Sequence, residues 1–162
     1  MKISKSVSTI FSFVIVIGII ILPFIFHVKS PQTNQIVIQK TNEIIFDHPL
    51  KIGESTISVY VSDTEIKREQ GLSGTQTLGA LQGMLFIFDS QITPSFWMKD
   101  MNYPLDIIWI NKDKKIVGVN ENLDPKTYPQ TFSPASLILY ALEVPAGFYK
   151  ANNLKIGDSV TF

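Results

Sequence analysis

The 162-residue chain contains no cysteine. That excludes disulfides, thiolate metal sites, a cysteine nucleophile and a lipid-modified cysteine anchor. Histidine occurs only at His27 and His48. Without a Cys or His pair at ligand spacing, a transition-metal centre lacks its usual donors, and no metal is expected. The oxygen-rich stretch Asn120-Glu121-Asn122-Leu123-Asp124 lacks the spacing and the glycine of a calcium loop. There is no phosphate-binding glycine loop, no Gly-x-Ser-x-Gly elbow and no dinucleotide fingerprint, so no cofactor is expected either. Arginine is almost missing: Arg68 stands alone against thirteen lysines.

Excess charge is missing too. The whole chain balances 14 Lys+Arg with 14 Asp+Glu. From residue 30 onward there are 11 Lys+Arg and 14 Asp+Glu, a net charge of −3. A mildly acidic surface without a basic cluster argues against nucleic acid and against anionic lipid headgroups as partners.

What is there begins with an apolar N-terminus. Lys2 and Lys5 precede a charge-free run from Val7 to Phe26. Twenty helical residues span roughly 30 Å, the thickness of a bilayer's hydrocarbon core. The run is longer than the apolar region of a cleaved signal, and Phe26-His27-Val28-Lys29 offers no small-residue cleavage site. The expectation is a membrane signal anchor over residues 7–26 with residues 1–6 cytoplasmic, by the positive-inside rule. A polar stalk over 27–43 and an extracytoplasmic domain over 44–162 follow. Secretion after signal cleavage is the alternative.

The stalk is marked by Pro31-Gln32-Thr33-Asn34-Gln35, with room for a short strand at Ile36-Val37-Ile38. Thr56–Val61 alternates with period two and predicts a half-buried strand. Asp63 suits a helix N-cap, residues 66–70 are helix formers and Gly71 a stop. Three apolar runs then follow: Met84–Phe88, Ser95–Lys99 and Asp106–Ile110, each read as a strand. Asn111–Lys114 reads as a hairpin turn into Lys115–Val119. A loop from Glu121 to Ser136 holds Pro125, Pro129 and Pro134, and loops of that length tend to be functional. Leu137–Glu143 is a strand, Pro145–Leu154 has room for a short helix, and Gly157–Phe162 closes the chain as a strand. The resulting architecture is mainly β with two short helices, a small closed barrel or rolled sandwich behind one transmembrane helix.

Charged residues inside apolar runs are the candidate chemistry, because such groups are rarely buried unless paired. Arg68, with its planar fork, could anchor a carboxylate or phosphate, or pair structurally with Glu143 or another acid. Lys99 follows Phe96-Trp97-Met98 and could act as a nucleophile or base, or extend outward to water or pair with an acid. Asp106 could be a general base or cap a turn. Glu143 ends an apolar strand beside a helix start, a place for an active-site acid or a helix-dipole partner. Trp97 and Trp109 suit core packing or a stacking platform, and Tyr128 and Phe132 a contact surface on the long loop.

The order of short motifs carries a resemblance. Arg68-Glu69-Gln70-Gly71-Leu72, Gly83-Met84-Leu85-Phe86, Ser95-Phe96-Trp97-Met98-Lys99-Asp100, Pro104-Leu105-Asp106-Ile107 and Leu142-Glu143-Val144-Pro145-Ala146-Gly147 follow the strand at Ser58–Val61. Over about residues 54–162 the chain resembles the family known as domain of unknown function 192. The resemblance implies a compact, mostly-β fold, often exported behind a signal or anchor, and implies no activity. Many relatives carry a cysteine pair in the loop that here runs from Asp124 to Ser136. Here Pro125, Pro129 and Pro134 must stiffen that loop instead, or leave it mobile.

Together these readings point to a membrane-anchored domain that binds a small polar ligand, a glycan or an envelope protein. The expected binding residues are Arg68, Trp97, Lys99, Asp106 and Glu143, walled by Trp97 and the long loop. One alternative is a hydrolase or isomerase using Asp106 or Glu143 with Lys99 as catalytic groups. Another is a structural accessory domain of secretion or envelope assembly.

Overall fold

A computed structural model describes residues 44–162. The expected anchor over 7–26, its flanking residues 1–6 and the stalk strand at 36–38 lie outside the described residues. No helix among the described residues is long and apolar enough to cross a membrane.

The domain is built on one seven-stranded sheet. In chain order its strands are β1 (His48–Ile52), β2 (Ser55–Ser62), β3 (Gln82–Ile92), β5 (Leu105–Ile110), β6 (Ile116–Leu123), β8 (Ile138–Pro145) and β9 (Val160–Thr161). Their spatial order is β6-β5-β8-β3-β2-β1-β9. Two further short strands, β4 (Phe96–Trp97) and β7 (Thr131–Phe132), pair with each other apart from that sheet. The helices are α1 (Glu65–Gln70) and α2 (Phe148–Ala151).

Every named pairing is antiparallel except β2 with β3, which run parallel. A parallel pair needs a crossover, and α1 with the segment after it supplies one. The sheet curls into a half-barrel. Its edge strands meet only at one end, where Lys115 bridges Ser159 and the Val160 amide donates to the Lys114 carbonyl at 2.9 Å. The barrel expected from the sequence is therefore closed at one end only.

Both faces of the sheet are buried, which is why its central strands lack polar alternation. One face holds Leu50, Ile57, Val59, Leu85, Ile108, Leu142 and Val144, covered by Phe148 and Leu154 at and after α2. The other holds Met84, Phe86, Ile107, Trp109 and Ala141, covered by Leu72, Met98 and the β4–β7 pair. Strand β5 is buried at all six positions. Trp109 belongs to this core, with its indole N–H donating to Asn120 Oδ1 at 2.8 Å.

Several elements differ from the sequence reading. Strand β1 was not expected, because Pro49 lowers strand propensity. Its pairing with β9 covers only Lys51 and Ile52, so Pro49 has no partner strand on the side away from β2. The cap of α1 is Thr64, whose Oγ1 accepts from the Lys67 amide, while Asp63 pairs with the Lys67 ammonium at 2.7 Å. Strand β3 is longer than Met84–Phe88. The run Ser95–Lys99 keeps only two strand residues, because Asp100 takes a left-handed φ of 55° and turns the chain. The expected hairpin at Asn111 forms, with Asn111 Oδ1 accepting from the Asp113 and Lys115 amides.

The loop expected from Glu121 to Ser136 is shorter and ordered. Strand β6 runs to Leu123, and Asp124 then caps a 3-10 turn through the Lys126 amide at 2.8 Å. Pairing of β7 with β4 and the edge-on contact of Tyr128 with Trp97 hold the rest. Hydrogen bonds and one aromatic contact thus brace the loop without a disulfide.

Candidate functional site

A cleft of about 280 Å³ opens between α1 and β4. One wall is Glu65, Arg68 and Glu69 of α1. The facing wall is Pro94 to Trp97, and Phe86 and Phe88 of β3 form the back. Glu143 of β8 also lines the cavity. Phe86 and Phe88 share a face because strand side chains alternate. Phe96 packs edge-on against both Phe86 and Trp109, at 4.9 and 5.2 Å between ring centres. The aromatic lining is thus continuous with the core.

Glu143 sits at the middle of the sheet, in register with Met84 of β3 and Ile107 of β5. Its residue is 6 % exposed, and among the described residues its Oε2 has no hydrogen-bond partner. An unpaired buried carboxylate is costly, so the group holds its proton instead. Burial pushes its pKa up to about 8. Neutral at pH 7, it is a hydrogen-bond donor as well as an acceptor. Tyr103 lies near it, with its hydroxyl 2.5 Å from Thr75 Oγ1. Burial raises the Tyr103 pKa, and the charge of Glu143 adds to that rise.

Arg68 is held in the α1 wall. Its Nη1 donates to the Ile87 carbonyl at 2.8 Å, and its guanidinium lies over the Phe88 ring at 5.7 Å. Its ion partner is Asp89 at 3.6 Å, another acid than Glu143 in the structural role of the sequence reading. Trp97 is half exposed at the rim, edge-on to Tyr128.

Three of the five sequence candidates therefore meet in one cleft: Arg68, Trp97 and Glu143. The other two do not line it. Lys99 is exposed beyond the end of β4, and its carbonyl accepts from Ser73 Oγ at 2.9 Å. Asp106 is fully buried on the opposite face of the sheet. Its Oδ1 accepts from the Asn122 and Gly147 amides at 2.8 and 3.1 Å, and its Oδ2 from the Tyr149 amide at 3.0 Å. It ties β6 and the start of α2 to β5, the capping role of the sequence reading. A catalytic set of Asp106 or Glu143 with Lys99 has no common cavity. The long loop contributes no lining residue but backs the wall at Ser95 to Trp97: β7 pairs with β4, Ser133 Oγ lies 3.0 Å from Ser95 Oγ, and Tyr128 packs edge-on against Trp97.

Sequence reasoning missed Phe86, Phe88, Phe96 and Met101 as lining residues. The spacing of Phe86 and Phe88 gave a signal for one shared face, but not for which face opens to solvent. Among the described residues, no cluster of three His, Asp or Glu side chains is placed to hold a metal.

The family described as "DUF192: Uncharacterized ACR, COG1430" matches residues 48–162. The chain belongs to this uncharacterised family. Two crystal structures share the fold of this DUF192 domain, each with a TM-score of 0.67. One is a protein of unknown function from Novosphingobium aromaticivorans DSM 12444, 24% identical, covering 70% of this chain and 84% of its own. The other, from Sinorhizobium meliloti 1021, is named as a proposed transcription regulator. It is 26% identical and covers 70% of this chain and 91% of its own. Among curated proteins none matches the chain.

Proposed function

We propose that this DUF192 domain is a binding module for a small polar ligand, seated in the cleft between α1 and β4. The observation that carries the reading is Glu143. A carboxyl group with an unpartnered oxygen lines an aromatic cavity and is itself almost fully buried. Such a group costs stability unless a ligand supplies its partner. At about 280 Å³ the cavity lies just under the lower bound of typical small-molecule sites, roughly 300 Å³, which suits a small ligand. Arg68 is a prepared wall and Trp97 a half-exposed rim.

A regulator of transcription is not part of this reading, because residues 30–162 carry 14 acidic against 11 basic side chains. The same proposal puts the domain outside the cytoplasmic membrane on an anchor at residues 7–26. The charge-free run behind Lys2 and Lys5 supports that placement. Protease protection in intact cells tests it: a domain cleaved only after lysis overturns it.

The binding role is tested by screening small polar compounds against the full chain through tryptophan emission. Trp97 at the rim is expected to respond, and Trp109 in the core is not. Hits are expected to lose binding in Glu143→Leu, which removes the unpartnered group while keeping an apolar side chain. Hits that bind the variant equally, or that leave Trp97→Phe equally responsive, overturn the site.

A further inference from the structure

The cleft carries a charge pattern that a generic polar ligand leaves unexplained. Glu65 and Glu69 stand exposed on its α1 wall. Arg68 is the one cation among the lining residues, and it is already engaged by the Ile87 carbonyl, by Asp89 and by the Phe88 ring. Glu143, 6 % exposed, adds a third acid with an oxygen that no group among the described residues satisfies. Phe86, Phe88, Phe96 and Trp97 surround the space between them.

Resting on the binding role proposed above, we infer that the ligand is a small organic cation, an ammonium group on an apolar body, whose charged head seats against Glu143. Three carboxyl groups face one occupied guanidinium. An anion would meet Glu65 and Glu69, and would gain Arg68 fully only by drawing it off the Ile87 carbonyl. A neutral ligand would hydrogen-bond the Glu143 carboxyl but leave the charges of Glu65 and Glu69 unused. An ammonium pairs with Glu143 in a cleft whose α1 wall adds the negative charges of Glu65 and Glu69, and aromatic rings attract it through their quadrupoles. A cavity of about 280 Å³ limits the body to a ring or a short branched chain.

The proton balance of this binding is specific. Burial keeps the Glu143 carboxyl protonated at neutral pH. Tyr103, from the segment before β5, lies within reach of its charge, Arg68, Glu65 and Glu69 of α1 line the same cleft, and β3 and β5 present Met84 and Ile107 beside it. When the ammonium arrives, Glu143 gives its proton to solvent and the carboxylate–ammonium pair forms. The ligand keeps its own proton. One proton therefore leaves the protein for each cation bound.

Three probes with the same ring separate the possibilities: 2-phenylethylammonium, 2-phenylethanol and 3-phenylpropanoate. Each is titrated calorimetrically into the full chain near pH 6.5, below the Glu143 titration. Two buffers of different ionisation enthalpy report the proton count. The ammonium is expected to bind at least about tenfold more tightly than either analogue. It is also expected to release about one proton per site, a release that Glu143→Gln abolishes while the variant stays folded. Equal or tighter binding of the alcohol or the carboxylate, without proton release, overturns the cationic class and leaves the cleft as a binding site. Absence of binding by all three probes overturns both the class and the binding role.

Discussion

Asp106 and Glu143 lie on adjacent strands one step out of register and point to opposite faces of the sheet. Asp106 pairs with Val144, and Glu143 pairs with Ile107. Cross-strand partners share a face and neighbours along a strand do not. The two acids, both candidates for one site in the sequence, therefore never meet. One satisfies three backbone amides beneath α2, and the other lines a cleft with an oxygen unsatisfied. The same residue type does opposite work, and the two roles predict opposite responses to neutralisation.

Asp106→Asn is expected to destabilise the domain by about 2–4 kcal/mol, since amide hydrogen bonds to a charged acceptor are the stronger kind. The new amide N–H2 would also face N–H groups, at either Oδ1 or Oδ2. Urea denaturation of the full chain checks this. A loss below about 0.5 kcal/mol, the range of ordinary surface changes, would show that the three bonds are not holding β6 and α2 in place.

Glu143 gives the stability a pH dependence of defined sign. Its folded pKa is raised to about 8 from an ordinary 4.5. Between those values the folded state binds more protons than the unfolded one, so stability falls as pH rises. The contribution is complete below about pH 4.5 and is lost by about pH 8. Glu143→Gln should flatten that window and be more stable than wild type by about 0.5–2 kcal/mol at its alkaline end. Denaturation midpoints measured across the window decide it. A wild type whose stability rises with pH there, with no change in slope for the variant, contradicts a protonated Glu143.

Arg68 and Asp89 form an ion pair whose two halves should matter unequally. Asp89 is 90% exposed, and a pair so open to water adds little. Asp89→Asn is expected to cost less than about 0.5 kcal/mol. Arg68→Ala removes the donor that satisfies the Ile87 carbonyl and the cation over Phe88. The carbonyl sits where the β3–β8 register shifts, so the ladder offers it less support. The expected cost is about 1–3 kcal/mol. Equal effects of the two substitutions in thermal melts would mean that the ion pair, not the carbonyl, fixes Arg68.

Apolar runs made the sheet legible in the sequence. Residues 106–110, 84–88 and 138–143 all fall within observed strands, because strands buried on both faces need continuous apolar residues. Strand β1 was hidden by Pro49, whose tolerance depends on β9 being too short to reach it. The site was half legible. Arg68 was conspicuous as the lone arginine, Glu143 as an acid inside an apolar run, and both line the cleft. Lys99 and Asp106 drew notice for the same reason and stand elsewhere, since the sequence marks a buried charge without saying which face it takes. Asp100's left-handed backbone ends the Ser95–Lys99 run early and leaves Lys99 outside.

Gly83 offers a test of how rigidly Glu143 is held. A Cβ at Gly83 would lie 2.8 Å from the Glu143 carbonyl oxygen and 3.1 Å from Val144 Cγ1. Both obstacles belong to β8, which is laddered on one side to β3 and on the other to β5. Neither can withdraw without shifting the strand. Gly83→Ala should therefore destabilise the domain by about 1–3 kcal/mol, the cost of overpacking a filled core. Because the clash falls on the backbone of Glu143 itself, ligand binding should weaken as well, even where the variant remains folded. Urea denaturation and a probe titration on the same sample separate the two effects. Lost stability with unchanged binding would show that the cleft tolerates a displaced β8, and that the position of Glu143 is not set by the packing of β3 against it.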